Sequence, residues 1–141
     1  MTNQTSGYSG TPLAKKLGVK SGFTLCLINE PSNYFDLFTD FPNDCRLVSD
    51  DGVKKDFIHL FTKHKSEFID LLPRLKAQLK PAGIIWVSWP KKASKVSADI
   101  TEDIIRNYAI SIGLVDIKVC AVNEVWSGLK LVIPVKDRPA E

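Results

Sequence analysis

The feature that most constrains this chain is the order of its apolar runs. Residues 23–28 (FTLCLI), 57–61 (FIHLF) and 84–89 (IIWVSW) have strand length, and their near-continuous hydrophobicity suits strands buried on both faces. Between them the period changes. Phe68, Leu71, Leu72, Leu75 and Leu79 recur at helical intervals, as do Ile104, Ile105, Tyr108, Ala109 and Ile112. Strands that alternate with helices call for right-handed crossovers, which give a parallel sheet with helices on both sides. The expected fold is α/β, in three layers around a mostly parallel sheet of about six strands. Residues 115–122 and 129–135 supply the last two strands. The link at 123–128 is short enough for a closing antiparallel hairpin. The 141 residues suit one domain, taken as 1–141, with 1–10 and 136–141 expected to be loose.

Local signals refine this outline. Thr11 is placed to cap a short helix, with Pro12 at its first position and Gly18 beyond its end. Tyr34, Leu37, Phe38 and Phe41 stand at i, i+3, i+4 and i+7, which predicts a helix that Pro42 ends. Residues 45–48 read as a short strand that leads into the turn Ser49-Asp50-Asp51-Gly52. Pro73 falls inside the second helical run and predicts a kink or two helical pieces.

Composition narrows the function classes. Nineteen basic against sixteen acidic residues give a net charge of +3, too mild to argue for nucleic acid, and no basic stripe is interleaved with aromatics. No apolar run approaches the ~18 residues of a membrane span, and Met1 to Gly10 carry no basic-then-apolar pattern, so a cytoplasmic setting is expected. Cys26, Cys45 and Cys120 form no CxxC pair, and with two histidines they make neither a disulfide framework nor a metal site. There is no GxSxG elbow and no pair of carboxylates at a fixed spacing.

Open α/β sheets bind ligands outside the carboxyl ends of their strands. In this chain those ends are Asn29 and Glu30; Asp50; Thr62, Lys63 and His64; Trp89, Lys91 and Lys92; and Asn123, Glu124 and Trp126, all expected along one rim. No glycine occurs between Gly22 and Gly52, so the first strand lacks the loop that brings backbone amides to a phosphate. Asn29, Glu30 and Pro31 stand there instead, which argues against a dinucleotide at this turn. Lys91, Lys92 and Lys95 either hold a small anion with the helix start at Gly10 and Thr11, or form a solvated loop. Trp126, expected in the hairpin loop, either stacks on a flat ligand or folds back over the sheet. His59 reads as a core histidine. His64 is the better catalytic candidate, and Glu124 is either a general base or a loop charge.

The order DFIHLF, helix, LKPAGIIWVSW, helix and closing hairpin resembles the Rossmann-like fold of S-adenosylmethionine-dependent methyltransferases, in which the last strand is antiparallel and inserted beside its predecessor. Two departures stand out. The glycine-rich cofactor loop is missing, and only seven residues, 49–55, separate the second strand from DFIHLF, so a strand of that fold is missing too. The stretches GYSGTPLAKKLG, WVSWPKK and VDIKVCAVNEVWSGLKLV are also similar to an uncharacterised bacterial family of unknown function.

Three readings follow. The first is a binding or regulatory module that takes a small anionic ligand or a protein partner at the carboxyl edge of the sheet, with no nucleic acid, membrane or metal expected. The second, implied by the resemblance, is a methyltransferase with S-adenosylmethionine in a non-standard pocket formed by Asn29, Glu30, Asp50 and Trp89. There Asp50 is either a ribose ligand or only a turn residue. The third is a structural subunit that uses Trp89 and Trp126 as an interface.

Overall fold

A computed structural model describes residues 10–139; the Gly7-Tyr8-Ser9 stretch and the last two residues lie outside the described part. The strands are β1 (Thr24–Ile28), β2 (Arg46–Leu47), β3 (Lys55–Phe61), β4 (Leu79–Pro90), β5 (Val115–Ala121) and β6 (Trp126–Val132). The helices are α1 (Leu13–Leu17), α2 (Lys65–Ala77) and α3 (Glu102–Ser111). The sheet has the order β2-β1-β3-β4-β6-β5. β2, β1, β3 and β4 run parallel, and β6 is antiparallel to both β4 and β5. This is the α/β Rossmann-like methyltransferase fold expected from the strand order, with the hairpin's second strand inserted beside β4.

Strand alternation divides the core between two faces. Ile58 and Leu60 of β3, Ile85, Val87 and Trp89 of β4, and Leu129 and Leu131 of β6 face α2 and α3, where they meet Phe68, Leu72, Leu75, Ile105 and Ala109. Phe57 and Trp86 face the other way, onto Leu13, Ala14 and Leu17 of α1. Each fully buried side chain of this size contributes about 1.5–3 kcal/mol.

Several sequence expectations are corrected by local chemistry. The helix expected over Tyr34 to Phe41 is only a 3-10 turn at Tyr34–Leu37, after which Phe38 is extended. Three of the four residues still cluster, since Tyr34, Phe38 and Phe41 pack ring against ring at 5.1 and 4.9 Å. The extended segment also frees Asp40, whose carboxylate accepts from the amides of Ala14 and Lys15 at 2.9 and 3.0 Å. That carboxylate, not Thr11, caps α1, and Gly18 ends the helix in the left-handed region at φ 89°. Pro73 does not split α2, which runs unbroken from Lys65 to Ala77. The carbonyl of Ile69, which loses its partner where proline has no N–H, accepts instead from the Tyr108 hydroxyl of α3 at 3.2 Å. β4 begins at Leu79, earlier than the expected 84, and runs through Pro81 and Gly83. Trp126 lies in β6, not in the hairpin loop.

The short link from β2 to β3 passes over β1 without a helix. Lys55, fully buried, ties it down: its ammonium donates to Asp50 O at 2.5 Å and to Gln78 Oε1 at 2.6 Å. The carboxyl end adds a 3-10 turn at Val135–Asp137, beside which the Arg138 guanidinium donates to Ile133 O at 2.9 Å.

Candidate functional site

Successive crossovers leave β1 in opposite directions, to β2 on one side and, through β2, to β3 on the other. The β1/β3 boundary is therefore the topological switch point, where such sheets open a crevice at the strand tips. A pocket of about 350 Å³ lies there, lined by Asn29, Phe61, Thr62, Lys63, His64, Glu67 and Trp126. It is at the small end of ligand-pocket sizes.

Asn29 takes the place of the missing glycine loop. It adopts φ 59°, the left-handed region that asparagine tolerates better than most residues. Its side-chain amide then uses both hydrogens, donating to Phe61 O and Glu67 Oε2, each at 3.2 Å. Glu67 comes from the first turn of α2 and also accepts from the Thr62 hydroxyl at 2.7 Å. The tips of β1 and β3 are thus pinned to the start of α2 around one carboxylate. The α2 amino end is itself closed by Asp99, which accepts from Lys65 N at 2.7 Å. His64, the N-cap of α2, is exposed on the pocket wall.

The aromatic wall has its own support. Phe61 meets Trp126 edge-on at 5.1 Å and stacks on His59 at 4.2 Å. His59 is fully buried between two hydroxyls, Tyr34 Oη at 3.0 Å from Nδ1 and Ser88 Oγ at 2.8 Å from Nε2. Burial pushes its pKa down to about 3, so the imidazole is neutral and offers one donor and one acceptor. One hydroxyl therefore donates to the ring and the other accepts from it. Burial likewise pushes the Tyr34 hydroxyl far above its ordinary range, and it stays protonated. The triad is a satisfied core network, as expected of His59, and it fixes the Phe61 ring at the pocket.

Of the residues singled out from sequence, Asn29, Thr62, Lys63, His64 and Trp126 come together in the pocket. Glu30 is exposed next to Asn29 but does not line it. Asp50 closes its own turn, its carboxylate accepting from Gly52 N at 2.8 Å, and it does not line the pocket. Trp89, 8% exposed, packs into the α2/α3 core. Gly10 and Thr11 are exposed, and the amides that open α1 are already taken by Asp40. Lys92 is exposed and Lys91 half-buried, in a loop held to the hairpin by Lys91 N donating to Val125 O at 2.7 Å. Glu124 is exposed in the hairpin turn, where Asn123 Oδ1 accepts from the amides of Val125 and Trp126. Glu67 was not singled out. Its one sequence signal is a glutamate three residues past the strand-end His64, in the first helical turn. Among the described residues no group of three histidine, cysteine or acidic side chains could hold a metal, and no helix is long and apolar enough to cross a membrane.

No protein-family model and no curated protein sequence matches the chain. Solved structures do share its fold. A SAM-dependent methyltransferase from Aquifex aeolicus aligns with a TM-score of 0.60 at 14% identity, over 85% of this chain and 87% of that one. Magnesium protoporphyrin IX methyltransferase from Synechocystis PCC 6803, with bound SAM, gives 0.57 at 13% identity, over 86% and 74%. The ribosomal protein L11 methylase from Lactobacillus delbrueckii subsp. bulgaricus gives 0.56 at 13% identity, over 85% and 74%. At such identities the likeness establishes the fold and nothing finer.

Proposed function

We propose that the chain binds S-adenosylmethionine in the pocket between the β1 and β3 tips and acts as a methyltransferase whose cofactor site lacks an amide cradle. One observation carries this reading: the switch-point pocket offers a fixed carboxylate, Glu67, beside the rings of Phe61 and Trp126, and no glycine loop. A pyrophosphate needs free backbone amides and is repelled by a carboxylate. A sulfonium cation is drawn to a carboxylate and to ring faces. The fold shared with solved methyltransferases supports the same direction.

S-adenosylmethionine supplies an electrophilic methyl group when bound. Glu67, Phe61 and Trp126 are the residues that would hold its charged centre. Asn29 and Thr62 act by holding Glu67. His64, exposed on the pocket wall, is placed to take a proton from a substrate nucleophile. Asp50, engaged in its own turn, is given no ribose role. Kinship with the uncharacterised bacterial family rests on the three quoted stretches alone.

Calorimetric titration tests the reading. S-adenosylmethionine and its demethylated product should bind in the micromolar range, and Glu67→Gln should weaken the cationic cofactor by about tenfold, the equivalent of ~1.4 kcal/mol. Absence of binding to the folded protein would overturn it. A second reading, a non-catalytic module for a small anion, is favoured by Lys63 on the pocket wall and by Lys91, Lys92 and Lys95, none of which has an ion pair among the described residues. On that reading phosphate raises the melting temperature, and the double substitution Lys91→Ala with Lys92→Ala abolishes the shift.

A further inference from the structure

Among the described residues the sheet ends at β5, whose only strand partner is β6, so its outer edge has no neighbouring strand. Register places Lys118 of β5 directly opposite Lys130 of β6, on the face away from α3. Like charges directly opposed across two strands destabilise a sheet. Lys20, from the link after α1, adds its charge to the same place. Burial, and then the charges of Lys118 and Lys20, push the Lys130 ammonium below its ordinary value. The described ion pairs centre on Arg74, Lys80 and Arg106, so none of these three lysines is neutralised by one. The fully buried sheet lysine, Lys55, is by contrast satisfied by two oxygens.

The other side of the same strand carries Asp116, already paired with Arg106 of α3 at 2.9 Å, and beyond it aliphatic residues. Val119 pairs with Leu129 on the α3 face and is 43% exposed. Ile117, the extra residue of a bulge between Asp116 and Lys118, is 52% exposed. An edge strand that shows lysine on one face and an aliphatic residue on the other specifies the strand that would complement it: acidic where it meets Lys118, apolar where it meets Val119.

We propose that β5 is a docking edge for an extended segment of a partner protein that alternates acidic and apolar side chains. A second copy of this chain is a poorer fit, because pairing β5 with β5 about a two-fold axis centred on Lys118 sets lysine beside lysine and supplies no acidic residue to the Lys118 face. An edge lysine that served only to block aggregation would need no second lysine on the inner strand behind it.

The test uses the full chain and a short capped peptide alternating glutamate and valine. Its controls are a block isomer of the same composition and a single-stranded oligonucleotide of equal charge. The alternating peptide should bind at least tenfold more tightly than the block isomer and slow hydrogen exchange at the β5 amides of the wild-type protein. The charge swap of Lys118→Glu with Lys130→Glu should lose that peptide and gain one alternating lysine and valine. Equal affinity for the block isomer, tighter binding of the oligonucleotide, unprotected β5 amides, or no binding at millimolar peptide would each overturn the proposal.

Discussion

The two layers that flank the sheet bury it by different means. On one side α2 and α3, of 13 and 10 residues, cover the sheet with apolar side chains. Two polar joints link them, the Lys76 ammonium on Ile112 O at 2.7 Å and the Tyr108 hydroxyl on the carbonyl that Pro73 leaves bare. On the other side a five-residue helix and a single 3-10 turn supply too little helical surface for the same solution. That layer relies on directional contacts. The Trp86 indole donates to Leu17 O at 2.7 Å, Asp40 clamps the α1 amides, and Tyr34, His59 and Ser88 form a closed hydrogen-bonded set. The difference teaches that a sheet face can be organised by satisfied polar groups where helix is short, and that the organised face then positions the pocket wall, because His59 carries Phe61.

This contrast can be broken in order of expected effect. Trp86→Ala should cost about 3–5 kcal/mol in urea unfolding, since it removes a fully buried ring and the bond to α1 together. A loss below about 1 kcal/mol would mean that α1 hardly depends on the sheet.

Acid should act next, through His59. Its folded pKa, about 3, lies below the unfolded value of 6.5, so between these values the unfolded chain binds the proton that the native state refuses. The stability contribution is complete above pH 6.5 and is lost as pH falls toward 3. The slope from this residue approaches ~1.4 kcal/mol per pH unit, or about 2–3 kcal/mol between pH 6 and pH 4. Comparing His59→Phe with the wild type isolates this slope; an unchanged pH dependence would contradict burial of a neutral imidazole.

Asp40→Ala should cost about 1 kcal/mol, as expected for a lost helix cap, and should increase hydrogen exchange in α1. Tyr108→Phe should cost less, about 0.5 kcal/mol, by stripping the Ile69 carbonyl of its partner at the long 3.2 Å contact. If Tyr108→Phe proved costlier than Asp40→Ala, the polar burden would sit in the α2/α3 layer and the comparison would reverse.

The legible part of the fold was the part written in periodicity. The continuous runs FIHLF and IIWVSW, and the leucine spacing of α2, gave the sheet centre and its helical layer, because burial on both faces leaves little room for other patterns. The 34–41 segment misled because a helical spacing of aromatics is equally satisfied by a ring cluster on a 3-10 turn. The α1 cap was out of reach locally, since its acceptor, Asp40, lies 26 residues from Ala14. At the site, strand ends were readable and placed Asn29, Thr62, Lys63, His64 and Trp126 at the pocket. Glu67 was not, because a glutamate in a first helical turn looks like any dipole partner until Asn29 and Thr62 are seen to grip it. Trp89 was misplaced by side-chain parity: one residue along a strand reverses the face.

Amide and indole chemical-shift mapping during addition of S-adenosylmethionine shows where on the sheet edge the cofactor sits. Binding in the switch-point pocket should give saturable shifts confined to Asn29, Thr62, His64, Glu67 and the Trp126 indole, with the Asp50 turn and the loop at 91–95 unmoved. Shifts centred on the Asp50 turn or on Lys91 and Lys92, or none at all in the folded protein, would contradict it.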